Sequence, residues 1–250
     1  MRPKSKFLAV IPLLCALLPG LGRADETQDA MPRSYAGVQA LTIVGVHRDI
    51  AGNQYGVGAG PLVQVHVGSQ RLALNLEGLP VVSIPDTRPS AHYGQATPKL
   101  GIFNGQVEYA LNQSGRAWVG IGTTIYNQRT PLPNLQQEVS SRLAGARYTA
   151  RYRLPLTPSH FVETLVGVAP SLWGSDHYLY SDGVTPAVNR AERASEIDAS
   201  VAYGWDRNAS EWLLGIRTLN FSAKFLDTGE GADRNVGVGV MLEWRHLIRR

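Results

Sequence analysis

The stretch Glu196-Ile-Asp-Ala-Ser-Val-Ala-Tyr-Gly-Trp205 decides how this chain folds. Ile197, Ala199, Val201, Tyr203 and Trp205 fall on one side of an extended backbone, and Glu196, Asp198, Ser200 and Ala202 fall on the other. Successive side chains of a strand point to opposite faces, so this is a strand with one apolar face and one polar or small face. Asn235-Val-Gly-Val-Gly-Val-Met-Leu-Glu-Trp244 repeats the design. Val236, Val238, Val240, Leu242 and Trp244 stand against Gly237, Gly239, Met241, Glu243 and Arg245.

Working outward from these two, runs of about ten residues recur, each ended by Gly, Asn, Asp, Ser or Pro. They place strands near 37–47, 56–67, 70–77, 99–111, 116–126, 140–153, 160–173, 196–206, 211–221 and 236–246. Val38 to His47 is apolar on both faces, and Arg116 to Tyr126 reads either way round. Short connections at Gly68–Gln70, Asn112–Gly115, Leu156–Ser159 and Asp206–Ser210 alternate with longer ones near 48–55, 78–98, 127–139, 174–195 and 222–235. The fold class is therefore all-β. It is an antiparallel up-and-down barrel of about ten strands, within bounds of eight to twelve, with its long loops at one end and both termini at the other.

The first residues read as a secretory signal peptide over 1–24. Arg2, Lys4 and Lys6 precede an apolar core from Phe7 to Leu18, and Gly22 and Ala24 supply a small-residue cleavage site before Asp25. That core, broken by Pro12, is well short of the roughly 20 apolar residues of a membrane helix. Residues 25–35 read as a periplasmic lead-in and 36–250 as the barrel. The chain holds 24 basic and 20 acidic residues, and Arg2, Lys4, Lys6 and Arg23 all lie in the signal. The mature chain is thus balanced at 20 and 20, which gives no reason to expect nucleic acid as a partner. Cys15 is the only cysteine and lies in the signal, so disulfides and cysteine metal sites are not expected.

Whether such a barrel sits in water or in lipid depends on which face is apolar. Trp205, Trp212 and Trp244 lie on apolar faces beside short turns or the C-terminus, and fall at one level if the last three strands are placed correctly. Tyr152 fits the same level. A girdle of this kind belongs at a membrane interface, whereas a soluble core does not need its aromatics at one height. Beyond the signal the only lysines are Lys99 and Lys224, both at strand or loop ends. The expected location is the cell outer membrane, with transmembrane β-strands.

The opposite face collects Arg71, Asn75, Glu77, Gln106, Glu108, Arg147, Arg151, Glu163, Glu196, Asp198, Arg217, Glu243 and Arg245. Ten strands leave a narrow interior, so arginine and carboxylate pairing there predicts a salt-bridged plug in preference to an ion pathway. Candidate reactive residues are Ser90 and His92 in the second long loop and Asp176, His177 and Asp182 in the fourth. Nucleophilic catalysis needs nucleophile, base and orienting acid within hydrogen-bond reach, which these loop positions do not establish. Asp176-His177 is similar to the Asp–His element of outer-membrane aspartyl proteases, without their paired acidic partner. His160, beside Ser159 in a periplasmic turn, is at the wrong end for outer-leaflet lipid A chemistry. Gly56, Gly58 and Gly60 alternate along a strand with no helix to follow, so they make no phosphate loop. They are expected to admit neighbouring side chains into the lumen. No residue is assigned as catalytic, cofactor-binding or metal-binding, and no cofactor is implied.

The chain from the lead-in onward resembles the Gram-negative outer-membrane β-barrel proteins of the cell envelope over nearly its whole length. Its terminal strand, Asn235 to Trp244, resembles the signal that the barrel-assembly machinery reads, though it continues through Arg250 instead of ending at an aromatic residue. The hairpin Pro61-Leu-Val-Gln-Val-His-Val-Gly-Ser-Gln-Arg-Leu72 is similar to the MipA/OmpV family of envelope scaffold barrels, and no functional residues are carried over from it. The resemblance implies outer-membrane lipids, lipopolysaccharide included, and the assembly machinery as partners. Three functions stay open: a non-enzymatic structural, interaction or narrow-pore barrel; an outer-leaflet lipid-modifying or proteolytic enzyme; and a soluble exported barrel for a small apolar ligand.

Overall fold

A computed structural model describes residues 34–49, 52–69, 71–85, 97–179, 186–207, 209–225 and 233–248. The proposed signal, most of the lead-in, Ser90, His92 and Asp182 lie outside them. Eleven antiparallel segments follow in order: β1 (Ser34–Asp49), β2 (Gly52–Gly68), β3 (Leu72–Ser83), β4 (Lys99–Ala110), β5 (Ala117–Leu132), β6 (Gln137–Thr157), β7 (His160–Ala169), β8 (Leu172–Leu179), β9 (Pro186–Arg207), β10 (Ser210–Phe225) and β11 (Asp233–Leu247). β7 and β8 both run between β6 and β9, so they are two halves of one wall strand interrupted at Pro170 and Ser171. The wall closes through β11 on β1 and β10 on β9, giving a ten-stranded barrel.

All ten expected strands are present, and their periplasmic ends fall close to the expected positions. Except in β4, which begins at Lys99 as expected, the outer ends run further than expected. β9 begins at Pro186 rather than 196, and β6 begins at Gln137 rather than 140. Polarity alternates only while one face meets lipid. Toward the outer ends the outward face turns polar as well, the alternation fades, and a strand such as Asn189-Arg190-Ala191-Glu192-Arg193 looks like a loop. At the other end β1 already starts at Ser34, and Tyr35 is wholly buried in the lumen.

The faces are distributed as in a membrane barrel. Val63, Val107, Ile121, Val201, Ile216 and Val240 are exposed on the outside, while Gln39, Asn75, Gln106, Arg147, Asp198 and Arg217 are buried inside. The two ambiguous strands resolve the same way. Gln39 and Leu41 of β1 point in and Val38 points out; Trp118, Thr124 and Tyr126 of β5 point in and Val119 and Ile121 point out. Trp212 is the cross-strand partner of both Trp205 and Trp244, so the three form one hydrogen-bonded row. The row through Tyr152 passes Thr164 and meets β9 at Val201, four residues outward from Trp205.

One seam interrupts the wall. The β2–β3 ladder runs from Gly68↔Ala73 to Val63↔Gly78 and stops there among the described residues. Continued in the same register, its next lipid-facing rung would set Pro61 against Pro80, and neither has an N–H to give. Beyond it β3 bulges against β4 between Leu79 and Val82 and leans into the barrel. Val82 and Ile84 lie on Gly56 and Gly58 of β2. A Cβ at Gly58 would come within 2.6 Å of the Ser83 carbonyl oxygen, so this approach requires glycine.

Candidate functional site

The lumen is the candidate site, because both sheet faces that converge there carry the polar half of every strand. Two arginine clusters organise it. Arg217 of β10 donates from Nη2 to Glu77 Oε1 and to Asp198 Oδ2, both at 2.6 Å, and from Nε to Asp198 Oδ1 at 2.9 Å. Arg147 of β6 donates to the same Asp198 at 2.7 Å, and Asn104 donates to Glu77 at 2.9 Å. Five wall strands, β3, β4, β6, β9 and β10, are thereby tied across the barrel, which sequence neighbours could not do.

Nearer the periplasm, Glu163 of β7 accepts two bonds from Arg245, at 2.7 and 2.9 Å, and one from Arg153 at 3.1 Å. Arg153 also grips Glu211 with two bonds, at 2.8 and 2.9 Å, and its guanidinium lies 3.7 Å above the Phe161 ring. Arg245 reaches Glu243 as well and stacks on Tyr35. Arg151 bonds Tyr35 Oη at 2.7 Å and lies 3.5 Å from Glu108. The forked guanidinium suits this bridging, since one arginine serves two carboxylates in fixed directions.

Above the charges, on the outer side, sits an apolar lid. Leu79, Val82, Leu100, Ile102, Leu143 and Leu172 pack with the stacked rings of Tyr126 and Phe221, whose centroids are 3.8 Å apart. The leaning end of β3 supplies Leu79 and Val82. Between the charge clusters lies a cavity of about 20 Å³, bordered by Gln39, Glu77, Arg151, Glu163, Arg217 and Arg245. That is room for about one water molecule.

Of the polar face expected from sequence, Asn75, Glu77, Gln106, Glu108, Arg147, Arg151, Glu163, Glu196, Asp198, Arg217, Glu243 and Arg245 are all buried in the lumen. Arg71 is exposed in the β2–β3 turn instead. The sequence reading missed Arg153, Glu211, His66 and Tyr35. Arg153 and Glu211 were at the ends of their expected strands, where face assignment is weakest, yet the two-residue step from Arg151 puts Arg153 on the same side.

Of the expected reactive residues only Asp176 and His177 are among the described ones, and these two do not come together. Asp176 is 6% exposed and faces inward, whereas His177 is exposed on the outer surface of β8. Adjacent strand residues point apart, so this acid cannot orient this imidazole. His177 Nε2 lies 3.0 Å from Ser175 Oγ, with no carboxylate partner among the described residues. His160 sits in the periplasmic turn region and pairs with Tyr203 Oη at 2.7 Å. Among the described residues no three His, Cys, Asp or Glu side chains come together as a metal ion would need.

No protein-family model matches the chain, and no curated protein matches it. Solved structures do. The outer membrane protease OmpT from Escherichia coli superposes with a TM-score of 0.50 at 11% identity, covering 89% of this chain and 99% of that one. Neisserial surface protein A superposes at 0.43 and 7%, covering 85% and 97%. The Pseudomonas putida toluene transporter TodX gives 0.38 and 9%, covering 87% and 90%. At such identities the likeness shows the fold alone. That fold, with its inside-out polarity and tryptophan row, places the chain in the Gram-negative outer membrane.

Proposed function

From this outer-membrane β-barrel as premise, we propose a closed, non-enzymatic barrel with a structural or interaction role, its working surface being the outer face and loops and not the lumen. The observation that carries the reading is the lumen filling. Arginine–carboxylate bridges span it, an apolar lid covers them, and the space between holds about one water. An ion pathway needs continuous water, and among the described residues the space between the two charge clusters holds about one molecule. The separation of Asp176 from His177 adds to the reading, since it removes the one candidate acid–base pair among the described residues. In this reading a signal peptide over 1–24 directs export, and the barrel-assembly machinery inserts the chain.

The test is current across a planar bilayer holding the purified barrel. The expected result is a flat trace at moderate voltage in which protein is present, as shown by its gel shift on boiling. A well-defined open level from the unaltered protein overturns the reading and makes a narrow pore the function. Hydrolysis of lipid A or peptide, lost on changing His92 or His177, would overturn it in favour of an enzyme.

A further inference from the structure

We propose that one sector of the outer wall, formed by β4, β5, β6, β8 and β9, binds the phosphate groups of the glycolipid that fills the outer leaflet. The residues are Lys99, Arg129, Arg142 and Arg190. On β4, β5 and β6 the outward face is uncharged through the membrane and then turns basic, and Arg190 of β9 lies on the same row as Arg142. On β6 the outward series is Leu154, Tyr152, Ala150, Tyr148, Ala146, Ala144 and then Arg142. On β5 it is Val119, Ile121, Thr123, Ile125, Asn127 and then Arg129, and on β4 Phe103 and Gly101 lead to Lys99. These charges therefore stand where the hydrocarbon ends and headgroups begin.

Their spacing makes the case. Lys99 and Arg129 are direct cross-strand partners, an arrangement of like charges that destabilises a sheet. Arg142 is diagonal to Arg129, since its own β5 partner is Asn127. Ser175 lies between Arg142 and Arg190 on a single row. Among the described residues no carboxylate pairs with any of the four. The exposed acids nearby are Glu192, held by Lys224 at 2.5 Å, and Glu138, which lies further out opposite Pro131. A row of unneutralised cations at one depth invites a polyanion, and guanidinium forks match phosphate oxygens two at a time.

Trp173 marks the same level independently. It points outward one step below Ser175 and is 70% exposed, the most exposed large apolar side chain described. An indole at this depth suits the boundary between acyl chains and headgroups. Short turns and both termini at the opposite end make this the outer leaflet, whose phosphorylated glycolipid is lipid A.

The experiment titrates delipidated barrel in a zwitterionic detergent with bisphosphorylated lipid A, following complexes by native mass spectrometry. Phosphate-free lipid A and phosphatidylglycerol are the comparison probes. Binding of the bisphosphorylated form should weaken at least about tenfold in the Arg129→Gln/Arg142→Gln double variant, and stay unchanged in Arg71→Gln at the periplasmic turn. Phosphate-free lipid A should bind at least about tenfold more weakly than the bisphosphorylated form. The inference is overturned if the double variant binds like the unaltered protein, or if phosphatidylglycerol binds as tightly as lipid A. Both substitutions are on the exposed face, and the gel shift on boiling confirms that each variant is folded. The site rests on the membrane placement but not on lumen closure: an open level in bilayers would end the closed-barrel reading and leave this binding intact.

Discussion

Replacing Arg217 with methionine will destabilise the folded barrel by about 3–5 kcal/mol, measured by urea unfolding from lipid vesicles. Methionine fills most of the volume, so the loss is not one of packing. It comes from the carboxylates left behind. Asp198 is 0% exposed and would keep only Arg147 as a hydrogen-bond partner, while Glu77 would keep only the neutral Asn104. Taking away one member of a buried pair leaves an uncompensated charge, and that penalty exceeds what the pair contributed. Changing Glu77 to Gln together with Arg217 to Met should therefore recover part of the loss, as a double-mutant cycle would show. A cost under about 1 kcal/mol for the single change would mean that water solvates the two carboxylates, which contradicts a filled lumen.

The second large effect lies on the opposite face. Ile216→Arg is expected to cost about 2–4 kcal/mol in a bilayer and to reduce the fraction of heat-modifiable protein recovered on refolding. Ile216 is 51% exposed, and its partners Val240 and Val201 are exposed beside it. It stands four residues outward from Trp212, about 10 Å along the membrane normal for a tilted strand, close to the middle of an apolar band about 25 Å tall. In a soluble barrel the same exposed position would accept arginine within about 0.5 kcal/mol. The pair of variants thus reads the two faces with opposite logic: removing an arginine from the inside and adding one to the outside both destabilise the barrel.

Much of this was legible in the chain itself. Ten strands, the direction of the apolar face on all but β1 and β5, and the level row of Trp205, Trp212 and Trp244 follow from period-two alternation and the place of the short turns. Twelve of the thirteen polar-face residues are in the lumen. Arg71 is not, because it was counted as a strand residue where the chain is still turning. The outer ends of β6 and β9 were read as loops because alternation carries information only where the two faces meet different solvents. The basic row was half visible: Lys99 was noticed as a strand-end lysine, but its neighbours Arg129 and Arg142 become a row only through register.

The sequence by itself determined architecture and location, since both depend on local quantities: the side to which each residue points, and how apolar that side is. Only the tertiary structure decided which charges meet. Arg217 is 140 residues from Glu77 and Arg151 is 116 residues from Tyr35, and closing the sheet into a cylinder is what brings them within bonding distance. It decided equally that Asp176 and His177, adjacent in the chain, face opposite sides of the wall. The end of β3 leans inward as a lid where Pro61 and Pro80 would have met, because a ladder lacking two donors cannot hold it against β2. Pairing across a closed barrel is a property of register and curvature, and no window of sequence contains either.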